Sequence, residues 1–196
     1  MFIAFTGTTT ANVTYSNVWG NSSANYSNAA ASTGCFSSNP LYVTAPTNLR
    51  LTSNSPSRFA GDLGGDLGPL PYTVDPTPGL YGTLWVNTTL TTAGSPYPSA
   101  GDLTVPPGVT LTVNPGVTIQ FATTDIMAAG LDTSRAELQV GGTLNATGTS
   151  AQPIALTSTG AGSGAWYGVN LLPNSTGSSI VYTNIDKAYE DLFYQS

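Results

Sequence analysis

The chain has 196 residues, enough to bury a core in one or two domains, and only 7% of them are charged. Four lysines and arginines stand against ten aspartates and glutamates, and these four bases are scattered along the chain. Nucleic-acid binding and docking to an anionic membrane both need clustered basic residues, so neither partner is expected.

The remaining composition indicates the structural class of the protein and excludes several kinds of site. Abundant valine, isoleucine and threonine with 10% aromatic residues indicates ordered, turn-rich β-structure rather than disorder. The chain has no histidine, which excludes the usual zinc sites, and its single cysteine, Cys35, cannot form an internal disulfide. No stretch approaches 18 consecutive apolar residues, so no membrane-spanning helix is predicted.

The chain opens with two short alternating stretches, at residues 2–5 and 11–20. Alternating apolar and polar residues place one face of a strand in a core and the other in solvent. Asn17 is a candidate for an asparagine ladder between stacked strands. Residues 21–39 are rich in asparagine, serine, alanine and glycine, and they are predicted to form a loop.

A glycine-rich turn follows at residues 61–68 and contains Asp62 and Asp66. Two carboxylates with backbone carbonyls can complete an oxygen shell for calcium, so this pair is a candidate metal site. A turn with solvated aspartates is the competing and more common interpretation. Asp125 and Asp132 form a second, looser candidate pair for calcium.

Residues 71–101 are rich in proline, which is typical of a connector, and they contain a predicted strand at 80–86. This strand is expected to cover the first turn of the structure that follows, since an uncovered strand exposes unpaired N–H and C=O groups. Trp85 lies within it and is a candidate carbohydrate-binding residue. Trp19 and Trp166 are instead expected to pack against a core or a corner.

The most informative stretch is residues 105–121, which carries the same pattern twice. Each copy is a Pro-Gly corner followed by a strictly alternating strand. The inward residues are predicted to be Val109, Leu111, Val113, Val117, Ile119 and Phe121. No helix fits between the two copies, so the pattern predicts a coil of short strands joined by sharp corners.

The rest of the chain continues this pattern with two interruptions. Residues 123–135 contain a stretch, 125–129, that is compatible with a short helix ended by Gly130. Residues 159–165 form a glycine-rich loop. Residues 186–194 fit either a short helix or one more turn of the coil, and the pattern leaves both open.

Four segments after the repeated corner carry a resemblance to a known family: residues 138–149, 153–158, 166–171 and 178–185. With residues 105–121, they resemble the repeats of right-handed parallel β-helices of the pectate-lyase-like superfamily in secreted bacterial proteins. The resemblance covers about residues 102–186 and implies an all-β, right-handed parallel β-helix, or β-solenoid. A weaker resemblance at residues 39–68 implies the closing segment of such a coil.

The resemblance also implies a domain plan. Residues 1–70 are expected to be the end turns and closure of one β-helix, 71–101 a connector with a cover strand, and 102–196 the opening turns of a second β-helix. Lyases and hydrolases share this fold, but they need clustered carboxylates, and the lyases also need a suitably placed base. No aspartate is predicted mid-strand beside an arginine or lysine, so no catalytic residues and no enzyme are expected.

A chain that starts with the end of a coil and ends with the beginning of one suggests stacking between copies, although a truncated fragment gives the same order. We expect an extracellular or cell-surface structural protein that assembles head to tail into a filament. A carbohydrate-binding or adhesin-like module is the alternative, with glycans as partners. No cofactor is expected apart from possible calcium. The residues predicted for assembly are Phe2, Ile3, Phe5, Val13, Tyr15, Ile180, Tyr182, Ile185 and Phe193.

Overall fold

The computed structural model describes residues 12–22, 25–26, 31–173 and 175–195. The chain divides into two compact units, residues 1–76 and 77–196. Within the described residues the regular elements are fifteen strands and one short 3-10 helix, Thr92–Gly94. None of the helical structure in this described part is long or apolar enough to cross a bilayer.

The strands are short, as expected for a coil with sharp corners. In chain order they are β1 (Tyr42–Thr44), β2 (Asn48–Leu51), β3 (Gly82–Thr83), β4 (Thr88–Leu90), β5 (Tyr97–Ser99), β6 (Leu103–Val105), β7 (Thr110–Val113), β8 (Thr118–Phe121), β9 (Glu137–Val140), β10 (Thr143–Thr147), β11 (Ile154–Ser158), β12 (Gly168–Leu171), β13 (Ser179–Val181), β14 (Thr183–Ile185) and β15 (Leu192–Tyr194).

The first unit contains the antiparallel pair β1–β2 and a parallel bridge between Asn17 and Phe36. The Asn17 side chain bonds both to the main chain of Ser38 and to the hydroxyl of Ser57. Asn17 therefore links three stretches of chain, as a ladder residue would, but its partners are serines rather than asparagines. Ser57 is fully buried, which places this contact in the interior of the unit.

The second unit is a right-handed parallel β-helix with three sheets. Their strand orders are β3-β6-β9-β12-β15, β4-β7-β10-β13 and β5-β8-β11-β14. Every strand pairs in parallel with the strand three positions along, so each set of three strands is one rung stacked on the next. The all-β, parallel β-helix predicted from the sequence is confirmed.

The repeated Pro-Gly corners form this coil in the expected way. Gly108 and Gly116 both have positive φ, 83° and 79°, a conformation that glycine adopts without a steric penalty. Of the six predicted inward residues, five are at most 1% exposed, and Val109 is half-buried against them. Phe121 stacks on Trp166 with ring centroids 4.4 Å apart, and both rings are fully buried.

The structure also shows the conformation of the two segments for which the sequence allowed a short helix. Residues 122–135 contain no helix and run as an irregular segment between β8 and β9. Residues 192–194 form β15, which pairs in parallel with β12, so the chain continues as one more turn of the coil. The first rung, β3 to β5, lies in the proline-rich stretch at residues 71–101, which was predicted to be a connector with a cover strand.

Candidate functional site

Two acidic residues stand at the start of neighbouring strands in the five-stranded sheet. Asp102 directly precedes β6, and Glu137 is the first residue of β9. Leu103 and Leu138 are paired in register and point into the core. Because side chains alternate along a strand, Asp102 and Glu137 both emerge on the outer face of the sheet. Asp102 Oδ1 accepts the main-chain N–H of Glu137 at 2.9 Å.

The irregular segment at residues 122–135 covers this part of the outer face. Asp125 Oδ1 accepts the N–H groups of Asp102 at 3.0 Å and Met127 at 2.8 Å, and its Oδ2 accepts that of Ala129 at 3.1 Å. The N–H of Leu131 donates to Glu137 Oε1 at 2.9 Å. Asp102, Asp125 and Glu137, brought together beneath this segment, are called the carboxylate site below.

The covering segment approaches Glu137 so closely that only glycine fits at position 130. Gly130 has φ of +72°, and a Cβ there would lie 1.9 Å from Glu137 Oε1. Glu137 Oε1 is also bonded to the side-chain amide of Gln139, which lies two residues along the same strand. The segment is therefore fitted to the carboxylate beneath it.

Burial makes the site electrostatically unusual. Asp102 is 3% exposed and Glu137 is fully buried. Burial raises the pKa of Asp102 to about 9, and the negative charges of Asp125 and Glu137 add to the rise. Burial likewise raises the pKa of Asp125 and of Glu137. Three carboxylates thus lie where the ionised form is disfavoured.

Three oxygen atoms at this face are buried without a hydrogen-bond partner in the described structure: Asp102 Oδ2, Glu137 Oε2 and Asn170 Oδ1. Asn170 lies in register with Gln139, one rung beyond it. Buried polar groups are nearly always bonded, so these unpartnered oxygens require a physical explanation.

The chain's own cations do not neutralise these oxygens. In the described residues, Arg135 pairs with Asp132 and donates to the carbonyl of Gly164. Lys187 donates to the carbonyl of Ser158, and Arg50 pairs with Asp75. No basic side chain of the described residues is therefore bonded to the carboxylate site, so the burial of its three carboxyl groups favours their protonated form.

The predicted calcium pair, Asp62 and Asp66, lies in a different environment. Both oxygens of Asp66 accept main-chain N–H groups, from Phe59 at 3.2 Å and Tyr72 at 2.8 Å. Asp62 is exposed, and its hydrogen bond to the Tyr15 hydroxyl raises the pKa of that tyrosine. These contacts assign Asp66 a role in closing its turn and leave the calcium prediction untested. The carboxylates of the second pair also have partners. Asp125 accepts main-chain N–H groups, and Asp132 accepts hydrogen bonds from Ser134 and forms an ion pair with Arg135.

The three tryptophans have different environments. Trp166 is fully buried, as expected, and its Nε1 donates to the carbonyl of Asp186 at 2.7 Å. Trp19 is 37% exposed, so it does not lie in a core, and the alternative that it packs against a corner stays a prediction. It lines a cleft of about 480 Å³ in the first unit together with Tyr15 and Tyr42. Trp85, the predicted carbohydrate-binding residue, is half-buried.

The residues predicted for assembly lie partly at the last rung of the coil. Ile180, Ile185 and Phe193 are half-buried, and Tyr182 is 60% exposed. Val13 and Tyr15 are half-buried in the first unit. Phe2, Ile3 and Phe5 lie outside the described residues. The assembly prediction itself stays a prediction.

The carboxylate site was missed because Asp102 and Glu137 are 35 residues apart and meet only through the stacking of rungs. The sequence nevertheless contains a signal for it. Asp102-Leu103-Thr104-Val105 and Glu137-Leu138-Gln139-Val140 share the pattern acid, leucine, polar, valine. Aligning the two strands by their inward leucines would have placed both acids at the same position of neighbouring rungs.

This fold and its covered outer face define the protein as a parallel β-helix. Residues 82–187, more than half of the chain, match the family model described as a pectate-lyase-like beta helix domain. The chain belongs to this family. Neither the curated proteins nor the solved structures yielded a significant match.

Proposed function

We propose that the protein is an extracellular, non-enzymatic structural β-solenoid that assembles head to tail by stacking rungs between copies. The main support is Leu192, which lies in register over the buried Val169 and yet is 51% exposed. The apolar interior of the coil is thus uncovered at its last rung, and a further rung placed there would bury it.

The main chain at this end also favours the addition of a strand. Strands β13, β14 and β15 are the outermost strands of their sheets. On β15, the main chain of Asp191 and Gln195 bonds toward β12. Bonding alternates along a parallel strand, so the N–H and C=O groups of Leu192 and Tyr194 point to the open edge. Such an edge is a template for another strand.

The opposite end of the second unit has features that oppose strand addition. Pro98 lies in the middle of β5, the outermost strand there, while Ser99 on the same strand bonds toward β8. By the same alternation, the main-chain nitrogen of Pro98 faces the free edge and has no N–H to donate. A head-to-tail interface joins two different surfaces, so the proposal assigns the second surface to the first unit of the next copy.

The test uses Leu192→Lys, which places a charge over the open core at a side chain that is already 51% exposed in the single chain. Leu131→Lys is the matched control, because Leu131 is 47% exposed but lies in the covering segment. Electron microscopy and light scattering of the full chain should show long assemblies for the wild type and Leu131→Lys, and short ones or monomers for Leu192→Lys. A monodisperse wild type at micromolar concentration would refute the proposal.

Mixing the Leu192→Lys variant with wild-type protein provides a second test of the proposed assembly, with filament length as the measurement. In a head-to-tail filament, a Leu192→Lys copy can join a wild-type end and then block further growth. A minority of the variant should therefore shorten wild-type filaments well beyond simple dilution. Unchanged filament length would count against directional stacking.

The cleft beside Trp19 favours a second candidate function, a carbohydrate-binding or adhesin-like module. Aromatic side chains offer apolar faces to sugar rings, and Asn17 and Ser57 line the same cleft. Glycan-array binding that is lost in Trp19→Ala and kept in Trp85→Ala would favour the cleft, and the reverse would favour Trp85. Absence of binding to any glycan would leave the structural role.

A further inference from the structure

Asp102 and Glu137 each use only one of their two carboxyl oxygens. Asp102 Oδ1 accepts the N–H of Glu137, and Glu137 Oε1 accepts that of Leu131, both at 2.9 Å. The other two oxygens are buried and have no partner in the described residues. Both oxygens of Asp66 and of Asp125 accept N–H groups, as expected for ionised carboxylates. A protonated carboxyl presents one C=O and one O–H, so the one-sided bonding matches the protonated form.

We propose that the carboxylate site is a pH-sensitive switch that controls the covering segment at residues 122–135. The segment stays closed over the sheet while Asp102 and Glu137 hold protons, and it opens to water when they ionise. Ionisation without opening would leave two unpaired charges in the interior, on adjacent strands that lie about 4.8 Å apart. This behaviour belongs to the second unit and does not depend on assembly.

The groups that face Asp102 and Glu137 from the covering segment add to the cost of ionisation. Burial raises the pKa of Asp102 to about 9, and the negative charges of Asp125, Glu137 and Asp132 add to the rise. Burial also raises the pKa of Glu137, and Asp125 and Asp132 again contribute. The pair therefore has acidic neighbours both on its own sheet and in the segment above it.

The other neighbouring groups do not offset this effect. On the next rung, burial and the charge of Glu190 raise the pKa of Tyr167, and Glu137 contributes further to the rise. Arg135, the cation at the end of the covering segment, is paired with Asp132. A neutral Asp102 and a neutral Glu137 are thus the forms that fit their surroundings.

The covering segment is the part that can move while the coil stays intact. The strands beneath it are held by the parallel ladder of the five-stranded sheet, whereas residues 122–135 contain no helix or strand. Two bonds between the segment and the strands end on carboxyl oxygens, from the N–H of Asp102 to Asp125 and from that of Leu131 to Glu137. Gly130 also lies directly above Glu137. Repulsion among the carboxylates therefore acts on the contacts that hold the segment closed.

The binding of protons sets the direction of the pH dependence. Folded Asp102 keeps its proton up to about pH 9, whereas an unfolded aspartate releases it near about pH 4. Between these values the folded state binds more protons than the unfolded state, so stability falls as the pH rises. The stabilisation from the buried proton is complete below about pH 4 and is lost by about pH 9.

The test compares the full-length wild type with Asp102→Asn and Glu137→Gln between about pH 5 and about pH 9. In each variant the amide oxygen can keep the existing hydrogen bond, and an uncharged NH₂ group replaces the unpartnered oxygen. The melting temperature of the second unit should fall by roughly 10 °C or more over this range in the wild type, and much less in each variant. At the alkaline end both variants should melt above the wild type.

Asp191→Asn is the matched control. Asp191 directly precedes Leu192 in β15 and thus occupies the position in its rung that Glu137 has in β9, but it is exposed. It should keep the full pH dependence of the wild type. An equal loss of pH dependence in Asp191→Asn would show a general effect of surface charge. Parallel pH profiles for the wild type and both site variants would show that the site does not titrate, and either result overturns the proposal.

Hydrogen–deuterium exchange of the wild type covers the case in which the variants fold poorly. Expressing exchange as protection factors removes the direct effect of pH on the chemical rate. Protection at residues 122–131 should fall by up to about tenfold per pH unit for each proton released on opening, and it should stay below that of β7 and β10. Unchanged protection in the segment, or protection equal to that of β7 and β10 at every pH, would overturn the proposal.

Discussion

The stack of Phe121 on Trp166 allows the stability of the coil to be tested quantitatively. Both side chains are fully buried, their ring planes are within 5° of parallel, and their centroids are 4.4 Å apart. Phe121→Ala removes a complete ring from a packed interior and leaves a cavity. This change should lower the free energy of unfolding of the second unit by about 3–5 kcal/mol.

The stacking itself can be separated from burial by a double-mutant cycle. Phe121→Leu and Trp166→Leu each keep an apolar side chain but abolish the ring pair. Trp166→Leu also removes the Nε1 donor to the Asp186 carbonyl, a single-variant cost that cancels in the cycle. The coupling energy between the two positions should be about 0.5–1.5 kcal/mol.

Urea unfolding followed by circular dichroism supplies these energies. Because the chain has two compact units, hydrogen–deuterium exchange of peptides from β8 and β12 should identify which transition belongs to the second unit. Phe59→Leu is the control, since Phe59 is 52% exposed and lies in the first unit. It should cost under about 1 kcal/mol. A Phe121→Ala cost below that of Phe59→Leu, or a coupling near zero, would refute the reasoning.

Two further predictions concern single residues. Gly142→Ala should destabilise the second unit by about 1–3 kcal/mol in urea unfolding, because a Cβ there would lie 2.3 Å from the carbonyl oxygen of Val109. Gly162→Ala, with nothing within 4 Å of its Cβ, should change stability by less than about 0.5 kcal/mol, and equal costs would contradict the packing argument. Asp66→Asn should destabilise the first unit by about 1.5 kcal/mol or more, because an amide cannot accept both N–H bonds that the carboxylate accepts. This loss should be the same in calcium and in EDTA, and a calcium-dependent loss would restore Asp66 as a ligand.

The coil was predictable because its information is local. From residue 107 to residue 121, the corners and the alternation fix which side chains point inward, and the observed burial follows them. A strand with one apolar face has only one register that keeps that face dry. Repetition of the pattern then predicts stacking, since a single rung cannot bury its own apolar stripe.

The carboxylate site was not predictable by the same reasoning, because its parts are not local. Asp102 and Glu137 meet through rung register, and Asp125 joins them from a segment with no regular pattern. The burial of Glu137 depends on Gly130 allowing the chain to pass directly above it. The sequence left the environment of Trp19 open between a core and a corner for a related reason, since the alternation of apolar and polar residues does not say what covers each face of a strand.

The two ends of the second unit differ in a way that bears on assembly. Strand addition requires both free main-chain groups and an apolar surface to bury, and the last rung offers both at Leu192. The first rung offers fewer free groups because Pro98 stands on its outer strand, and Leu80 packs against the core beside it. A symmetric pairing of two last rungs would oppose the parallel direction that every sheet of the coil maintains. Directional addition preserves that direction, and this is the reason why the proposed assembly is head to tail rather than symmetric.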